Sequence, residues 1–524
     1  MAATGKSGRI LSPIRTYSHS RSRRVALYVT AGFCLVGLLL ATLLAAESVA
    51  RLSEGMPLRQ LALPVSAGVE ISSAGRRDGK EYVTGLVPAP GVKREWFFAD
   101  PPELAGRTQP DPRLLALRDR IASTGMAEFD MYKRWNSRFV AEESCGYFRD
   151  FPGFVFTFDS PEPTGHPRYR YFRDTVTPSG LVTNRFGWRG PQIELNKPDR
   201  TVRVVFIGAS TTVNAHSYPF SYPELIGHWL NLWAQSRGLM VRFEVINAGR
   251  EGIASDDIAA IVRQEVLPVE PDLVVYYEGA NEFDIKGIIG ASGVSFRLAA
   301  LKGRLSRSSW LARMKRYSVL ARRADSLVGL LDHPGGTEAP KPEYHSAWPA
   351  GVDEFNPLLG GTDLPAGPGR ILVNLDLIRR DLQGVSAELI LTSFVWLVED
   401  GMVLEPVKHQ SIHRYLNLGL YPFRYRDVRR AADFQNRVFA KYAAVHGLDF
   451  IDVDKLYPRD PDLFTDPIHQ TYAGVRLRAW IVLQQLVPIL QRRIESGQLP
   501  RPDQVWVGQH PAFTTPETTV DVHC

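Results

Sequence analysis

The 524-residue chain is longer than one ordinary domain, and its 44% apolar and 23% charged residues exclude a disordered polymer and allow a large core. The formal net charge of +6 does not mark a nucleic-acid binder, because aromatic residues are not interleaved densely enough with basic ones to form a stacking platform. Three cysteines (Cys34, Cys145 and Cys524) without a CxxC spacing exclude a cysteine-built metal site. Cys145 and Cys524 are the pair that an oxidising compartment would join if they meet.

Charge is uneven from the start. Lys6, Arg9, Arg15, Arg21, Arg23 and Arg24 fall in residues 1–24 with no acidic residue, and residues 25–46 carry no charge. A helix of that length spans ~33 Å, enough to cross the hydrocarbon core of a bilayer. Ser48-Val49-Ala50 would suit signal-peptide cleavage, but the apolar run exceeds the usual signal core, so an uncleaved transmembrane helix is the favoured reading. Within it Cys34 serves as a small hydrophobe. The basic flank predicts a cytoplasmic N-terminus and a single pass. In a bacterium the remainder would face the periplasm from the inner (cytoplasmic) membrane.

Residues 47–200 read as a juxtamembrane connector with a small accessory region. Pro and Gly punctuate its first part, residues 114–135 have helical spacing through Leu114, Leu117 and Ile121, and residues 154–158 and 169–172 alternate as strands do. Asn184-Arg185-Phe186-Gly187-Trp188-Arg189-Gly190 then leads into the first long strand, with Trp188 expected to pack in a turn against the sheet edge. Residues 201–490 alternate strand and helix. Strand-like runs at 203–207, 241–246, 272–277, 388–395 and 448–452 are separated by helical periodicity at 221–236, 255–267 and 428–446. That order predicts an α/β fold, a five-stranded parallel sheet with helices on both faces, whose strand-end loops gather at one edge. Residues 284–370 and 399–427 interrupt it. The first insertion reads as basic amphipathic helices from Arg297 to Arg323, packed on the domain or resting on an anionic membrane surface, followed by an extended loop over 333–370. Residues 491–524 read as a C-terminal tail.

Three polar groups fall at strand ends and a fourth just before a helical stretch. Ser210 closes Gly208-Ala209-Ser210-Thr211 after the first strand; Asn247-Ala248-Gly249 and Gly279-Ala280-Asn281-Glu282 follow the second and third; Asp466-Pro467-Ile468-His469 lies near the C-terminal helical stretch. A serine hydroxyl needs an adjacent base to act as a nucleophile, and His469 is suited to take and return its proton near neutral pH. Asp466, three residues earlier, can curl back to fix the imidazole tautomer. Each piece alone has a duller reading: Gly-x-Ser turns are common, Asp-x-x-His arises by chance, and Asn247 and Asn281 can cap turns. All four together at such element ends make an acyl-transfer site.

The order and setting of these motifs resemble the SGNH (GDSL-like) hydrolase superfamily over residues 203–487, and the Asn…Gly-Trp-Arg-Gly lead-in resembles its membrane-anchored bacterial members. The resemblance implies a three-layer α/β/α flavodoxin-like domain. It also implies catalytic residues Ser210, Asp466 and His469, and an oxyanion hole made by the Ser210 N–H, the Gly249 N–H and the Asn281 side chain. Two departures stand out: Ala209 replaces the acidic residue usual before the serine, and Glu282 replaces Asp. The nucleophile is intact, and Glu282 leaves Asn281 in place as a loop brace.

The expected activity is that of a membrane-anchored serine esterase. Its substrate is an ester-containing small molecule or an acylated polysaccharide of the cell envelope. The same site would serve a polysaccharide O-acetyltransferase with a membrane-protein partner, and a non-catalytic envelope-binding or assembly protein is the reading from another class. Neither a GxGxxG nor a P-loop occurs, so no cofactor is expected, and no metal or nucleic acid. His409 and His413 have metal-compatible spacing but no third ligand nearby, which favours a solvated pair; His216 reads as surface or substrate rim.

Overall fold

The computed structural model describes residues 18–53, 58–59, 80–102, 104, 156–157, 166–167, 170–171, 173–174, 181–214, 218–285, 288–290, 314, 317–321, 336–339, 341, 344–346, 348–360, 364–405 and 408–501. They divide into two units, residues 1–64 with 309–327, and residues 65–308 with 328–524.

The first unit is built on one helix, α1 (Ser18–Ser53), which contains the uncharged run and leaves residues 28–46 exposed. Its stretch Tyr28–Ser53 is long and apolar enough to cross a membrane. At its C-terminal end Glu47 accepts the Val319 N–H at 2.8 Å, the Leu320 N–H at 3.1 Å and the Ser318 hydroxyl at 2.7 Å. Arg51 donates to the Tyr317 carbonyl at 2.6 Å, and Ala50 packs on Val319. A carboxylate thus takes up N–H groups that open a helical turn and would otherwise lack partners. Most of the basic stretch from Arg297 to Arg323 lies outside the described residues, as do residues 114–135, Cys145 and Cys524; Cys34 is exposed on α1.

The second unit is a three-layer α/β/α sandwich. Strands β1 (Thr201–Gly208), β2 (Arg242–Asn247), β3 (Leu273–Tyr277), β4 (Glu388–Thr392) and β5 (Asp449–Ile451) pair in parallel in the order β2-β1-β3-β4-β5. This is the flavodoxin-like order, with its switch point at β1. Alternate residues face opposite layers. Val204, Phe206, Val245, Val275 and Ile390 point to α3 (Tyr222–Ser236) and α8 (Tyr472–Glu495), whereas Val205, Ile207, Ile246, Val274 and Leu391 point to α4 (Ser255–Ile261), α5 (Pro368–Gly384) and most of α7 (Tyr425–His446). Both faces being covered, the strand centres read as continuous apolar runs, as in residues 204–207 and Leu273–Tyr277, with Arg203 and Glu244 paired at the strand starts. The first layer is dense in aromatics: Trp229 and Trp480 meet at 5.4 Å, Phe97 and Trp480 at 5.7 Å. Such pairs add about 0.5–1.5 kcal/mol each beyond the area they bury.

Several boundaries differ from the sequence expectation. Val83, Trp96, Phe97, Leu181, Phe186 and Ile193 lie inside the two cores of this unit, so these parts of 47–200 belong to the α/β domain instead of forming an accessory region. Amphipathic spacing of Ile371, Leu372, Leu375, Ile378 and Leu382 makes α5, which starts on Pro368 inside the expected loop, proline being well placed in a first helical turn. The expected strand 388–395 stops at Thr392, because the Phe394 backbone turns away to exchange two bonds with the Asn436 side chain. Helix α8 carries the domain past residue 490 to Glu495, and Leu499 beyond it is buried. Of the accessory strands, Phe156–Thr157 and Arg170–Tyr171 pair antiparallel.

Candidate active site

Ser210 opens a four-residue helix, α2 (Ser210–Val213), directly after β1, and is 6% exposed. The strand must end on a glycine there, since a Cβ on Gly208 would run into the Tyr277 carbonyl and the Thr212 hydroxyl. So short a helix leaves its carbonyls without internal partners. Here side chains from distant elements take them. Arg478 of α8 donates to Thr211 O at 2.5 Å, Asn247 at the end of β2 to Thr212 O at 2.9 Å, and Arg189 to Asn214 O. The Thr212 hydroxyl donates to Tyr277 O at 3.0 Å. Arg189 is itself held by Glu224 at 2.9 Å, and the Arg478 guanidinium lies 4.2 Å from the Tyr222 ring and 4.7 Å from the Tyr277 ring. Asn247 is thus a brace of the Ser210 turn. The lead-in containing Arg189 bridges to Asn247 on the edge strand. Trp188 is buried in it, its indole N–H donating to Glu265 at 3.0 Å, while Asn184 Oδ1 accepts the Phe186 and Trp188 N–H groups.

His469 Nε2 lies 2.8 Å from Ser210 Oγ, and its Nδ1 lies 2.7 Å from Asp466 Oδ2. The other Asp466 oxygen accepts the Ile468 and His469 N–H groups at 2.9 and 2.8 Å, and the Thr465 N–H donates to His469 O at 2.8 Å. The loop therefore closes on itself and presents the imidazole to the serine. Burial disfavours charge on His469, but the Asp466 carboxylate outweighs it, with Glu251 and Glu278 adding their fields, and its pKa is pushed up to about 9. Asp466 is held below the usual carboxylate range: burial opposes its charge, while the imidazole and the two loop N–H groups favour it more.

The oxyanion candidates differ among themselves. The Ser210 N–H has no hydrogen-bond partner among the described residues, as expected of a first helical residue. The Gly249 N–H donates to Asn247 Oδ1 at 3.1 Å, within its own turn. Its lack of a side chain serves packing against the nucleophile helix, since a Cβ would sit 2.7 Å from the Val213 nitrogen. Asn281 is exposed, and its Nδ2 donates one hydrogen to Ile253 O at 2.7 Å, leaving the second. Glu282 braces the neighbouring loop, accepting the Ser255 N–H at 2.8 Å with Arg370 at 3.5 Å.

Other predicted positions take other roles. His216 lies outside the described residues. His409 and His413 are not a solvated pair: both are buried, and His409 accepts the Glu405 N–H at 3.0 Å and bonds Asp462 at 2.8 Å, which ties α6 (Gln410–Arg414) to the loop before Asp466. Among the described residues, His166, Asp256 and Asp257 bring three donor atoms together, but this cluster already holds the Arg370 guanidinium on Asp256, and His166 is 2.6 Å from Asp257. Arg478 and Glu278 carry no local sequence signal, whereas Arg189 lies inside the lead-in motif, which marks the position but not its partners.

No protein-family model matches the chain, and no curated protein matches it. Among solved structures it is similar to the acetyl xylan esterase AlAXEase (15% identity, 53% of this chain and 97% of that chain, TM-score 0.28). It is also similar to a lipase/acylhydrolase from Enterococcus faecalis (15% identity, 55% and 96%, TM-score 0.29). A third is a catalytic mutant of an acetylxylan esterase from Geobacillus stearothermophilus (13% identity, 54% and 94%, TM-score 0.30). At such identities and scores the likeness assigns no role to any residue of this chain.

Proposed function

We propose that the chain is a serine esterase of the SGNH type. The observation that carries this reading is the unbroken relay from Ser210 Oγ through His469 to Asp466, with contacts of 2.8 and 2.7 Å, at the strand ends of a flavodoxin-like sheet. Ser210 Oγ attacks the ester carbonyl while His469 Nε2 takes its proton. The oxyanion is met by the Ser210 N–H and the second Asn281 hydrogen, with Gly249 joining if its N–H is shared with Asn247. The imidazolium returns the proton to the leaving alcohol, and water, activated by the same imidazole, releases the acid and restores the serine. The apolar run of α1 and the basic residues ahead of that run favour a tether to a membrane, and from there the site would act on O-acyl groups of envelope carbohydrate.

The test is p-nitrophenyl acetate turnover by the detergent-purified chain beside its Ser210→Ala variant, followed by release or transfer of acetyl from acetylated polysaccharide with water or sugar as acceptor. A loss on the order of 10³-fold or more in the variant is expected. Equal rates in the two proteins would remove the esterase reading, and acetyl appearing only on sugar would make the protein a transferase.

A further inference from the structure

Glu278 directly follows β3, is 3% exposed, and opens the turn that carries Asn281. Its Oε1 accepts two backbone N–H groups, from Ala280 and Asn281, each at 2.8 Å. Among the described residues no lysine or arginine lies within ion-pair distance of it, so the turn amides are its compensation. A buried carboxylate without a cation is costly unless its acceptor sites are filled. The burden falls on the turn that carries Asn281.

Four groups face Glu278 electrostatically: His469 from the acid–base loop, Tyr415 from the segment after β4, Tyr276 from β3 and Glu282 from the same turn. Burial, with Glu282 adding to it, pushes its pKa up to about 7 against the pull of the turn amides. Its negative form strengthens His469 as a base.

We propose that Glu278 is a positioning residue for the reaction inferred above, holding the Asn281 carboxamide beside Ser210 through the two turn N–H groups. Without the acceptor oxygen the two turn N–H groups lose their partner and the turn is left to the Asn281–Ile253 and Glu282–Ser255 contacts; a donor displaced by about 1 Å loses on the order of 10²-fold in rate. The proposal rests on the serine esterase reading, and the experiment separates the two.

Four full-length variants are compared with the wild type on p-nitrophenyl acetate: Glu278→Ala, Glu278→Gln, Asn281→Ala, and the double variant Glu278→Ala with Asn281→Ala. Thermal unfolding is followed alongside. Glu278→Ala should lower kcat by about 10–100-fold with KM within about threefold. Glu278→Gln, which keeps an acceptor oxygen, should recover at least about tenfold of that loss and move the acidic limb of kcat/KM to lower pH, as His469 loses a negative neighbour. In the Asn281→Ala background the Glu278→Ala change should cost no further activity. Additive losses, or a glutamine variant as slow as the alanine variant with an unmoved pH limb, would overturn the role. If Glu278→Ala fails to fold, the glutamine variant's rate and pH limb decide by themselves. A serine-independent wild-type rate would instead strike down the esterase reading and leave the turn geometry untouched.

Discussion

The nucleophile turn and the acid–base loop are both short and sit side by side, yet they are held in opposite ways. Thr211 O, Thr212 O and Asn214 O depend on Arg478, Asn247 and Arg189, which come from three separate places in the chain. Asp466 and His469 depend chiefly on each other and on amides within five residues, with the Leu397 N–H on Pro467 O at 2.8 Å as a contact from elsewhere. The serine is oriented by the finished fold, whereas the base is oriented by its own loop. Disturbing the loop should therefore damage chemistry with little loss of stability, and disturbing the braces should damage both.

The largest expected effect is on the loop. Asp466→Asn should lower kcat by on the order of 10³–10⁴-fold, because the imidazole loses its tautomer and its counter-charge. The neutral imidazole is the base, so wild-type kcat/KM should climb with pH until about 9, where His469 is pushed by its carboxylate neighbours. In Asp466→Asn that limb should move down toward the ordinary histidine range; a pH–rate series from 5 to about 10 reads both. Unchanged thermal unfolding would complete the contrast, and a large fall in Tm would break it.

Arg478→Met comes next. It leaves Thr211 O buried without a donor, which costs about 1–3 kcal/mol, and it should reduce kcat as Ser210 loses its frame. Urea unfolding and steady-state kinetics must move together; a stable variant with full kcat would show that the turn does not need this brace. Gly249→Ala should follow at about 1–3 kcal/mol, since the added methyl meets the Val213 nitrogen of the same helix. Trp188→Phe is the smallest. It removes one donor to Glu265, which Arg170 and Arg250 still hold, so about 1 kcal/mol and an unaltered kcat are expected. A kinetic defect there would extend the cross-braced region farther than its contacts do.

The same contrast explains what the sequence made legible. Asp-x-x-His is a motif because its bonds close within four residues, and Ser210, Gly249 and Asn281 were visible because each directly follows a β-branched or aromatic run. The sheet order followed from strands alternating with helices. The roles of Arg189 and Arg478 were missed since their partners lie across the fold, and Glu278, which bonds within its own turn, was missed because a buried glutamate looks like any other in a one-dimensional pattern. The occupied Gly249 N–H was missed for a related reason: Asn247 has two ends, one bonding the glycine amide and the other the nucleophile turn, and only the folded geometry assigns both. Helix α5 had a periodic apolar stripe, but the proline- and glycine-rich stretch before it masked its start.

Strand β3 and strand β4 are neighbours, with Val274 beside Leu389, although more than a hundred residues separate them along the chain. The long insertion enters after one and returns through α5 before the other, so all the chemistry before it (Ser210, Asn281) and all after it (Asp466, His469) meet only through noncovalent pairing. That pairing runs from β1 through β3 to β4 and β5. The chain is in this sense two-part, and co-expressed halves divided within the insertion, each inert alone, should reassemble into one active site if the proposed esterase reading holds.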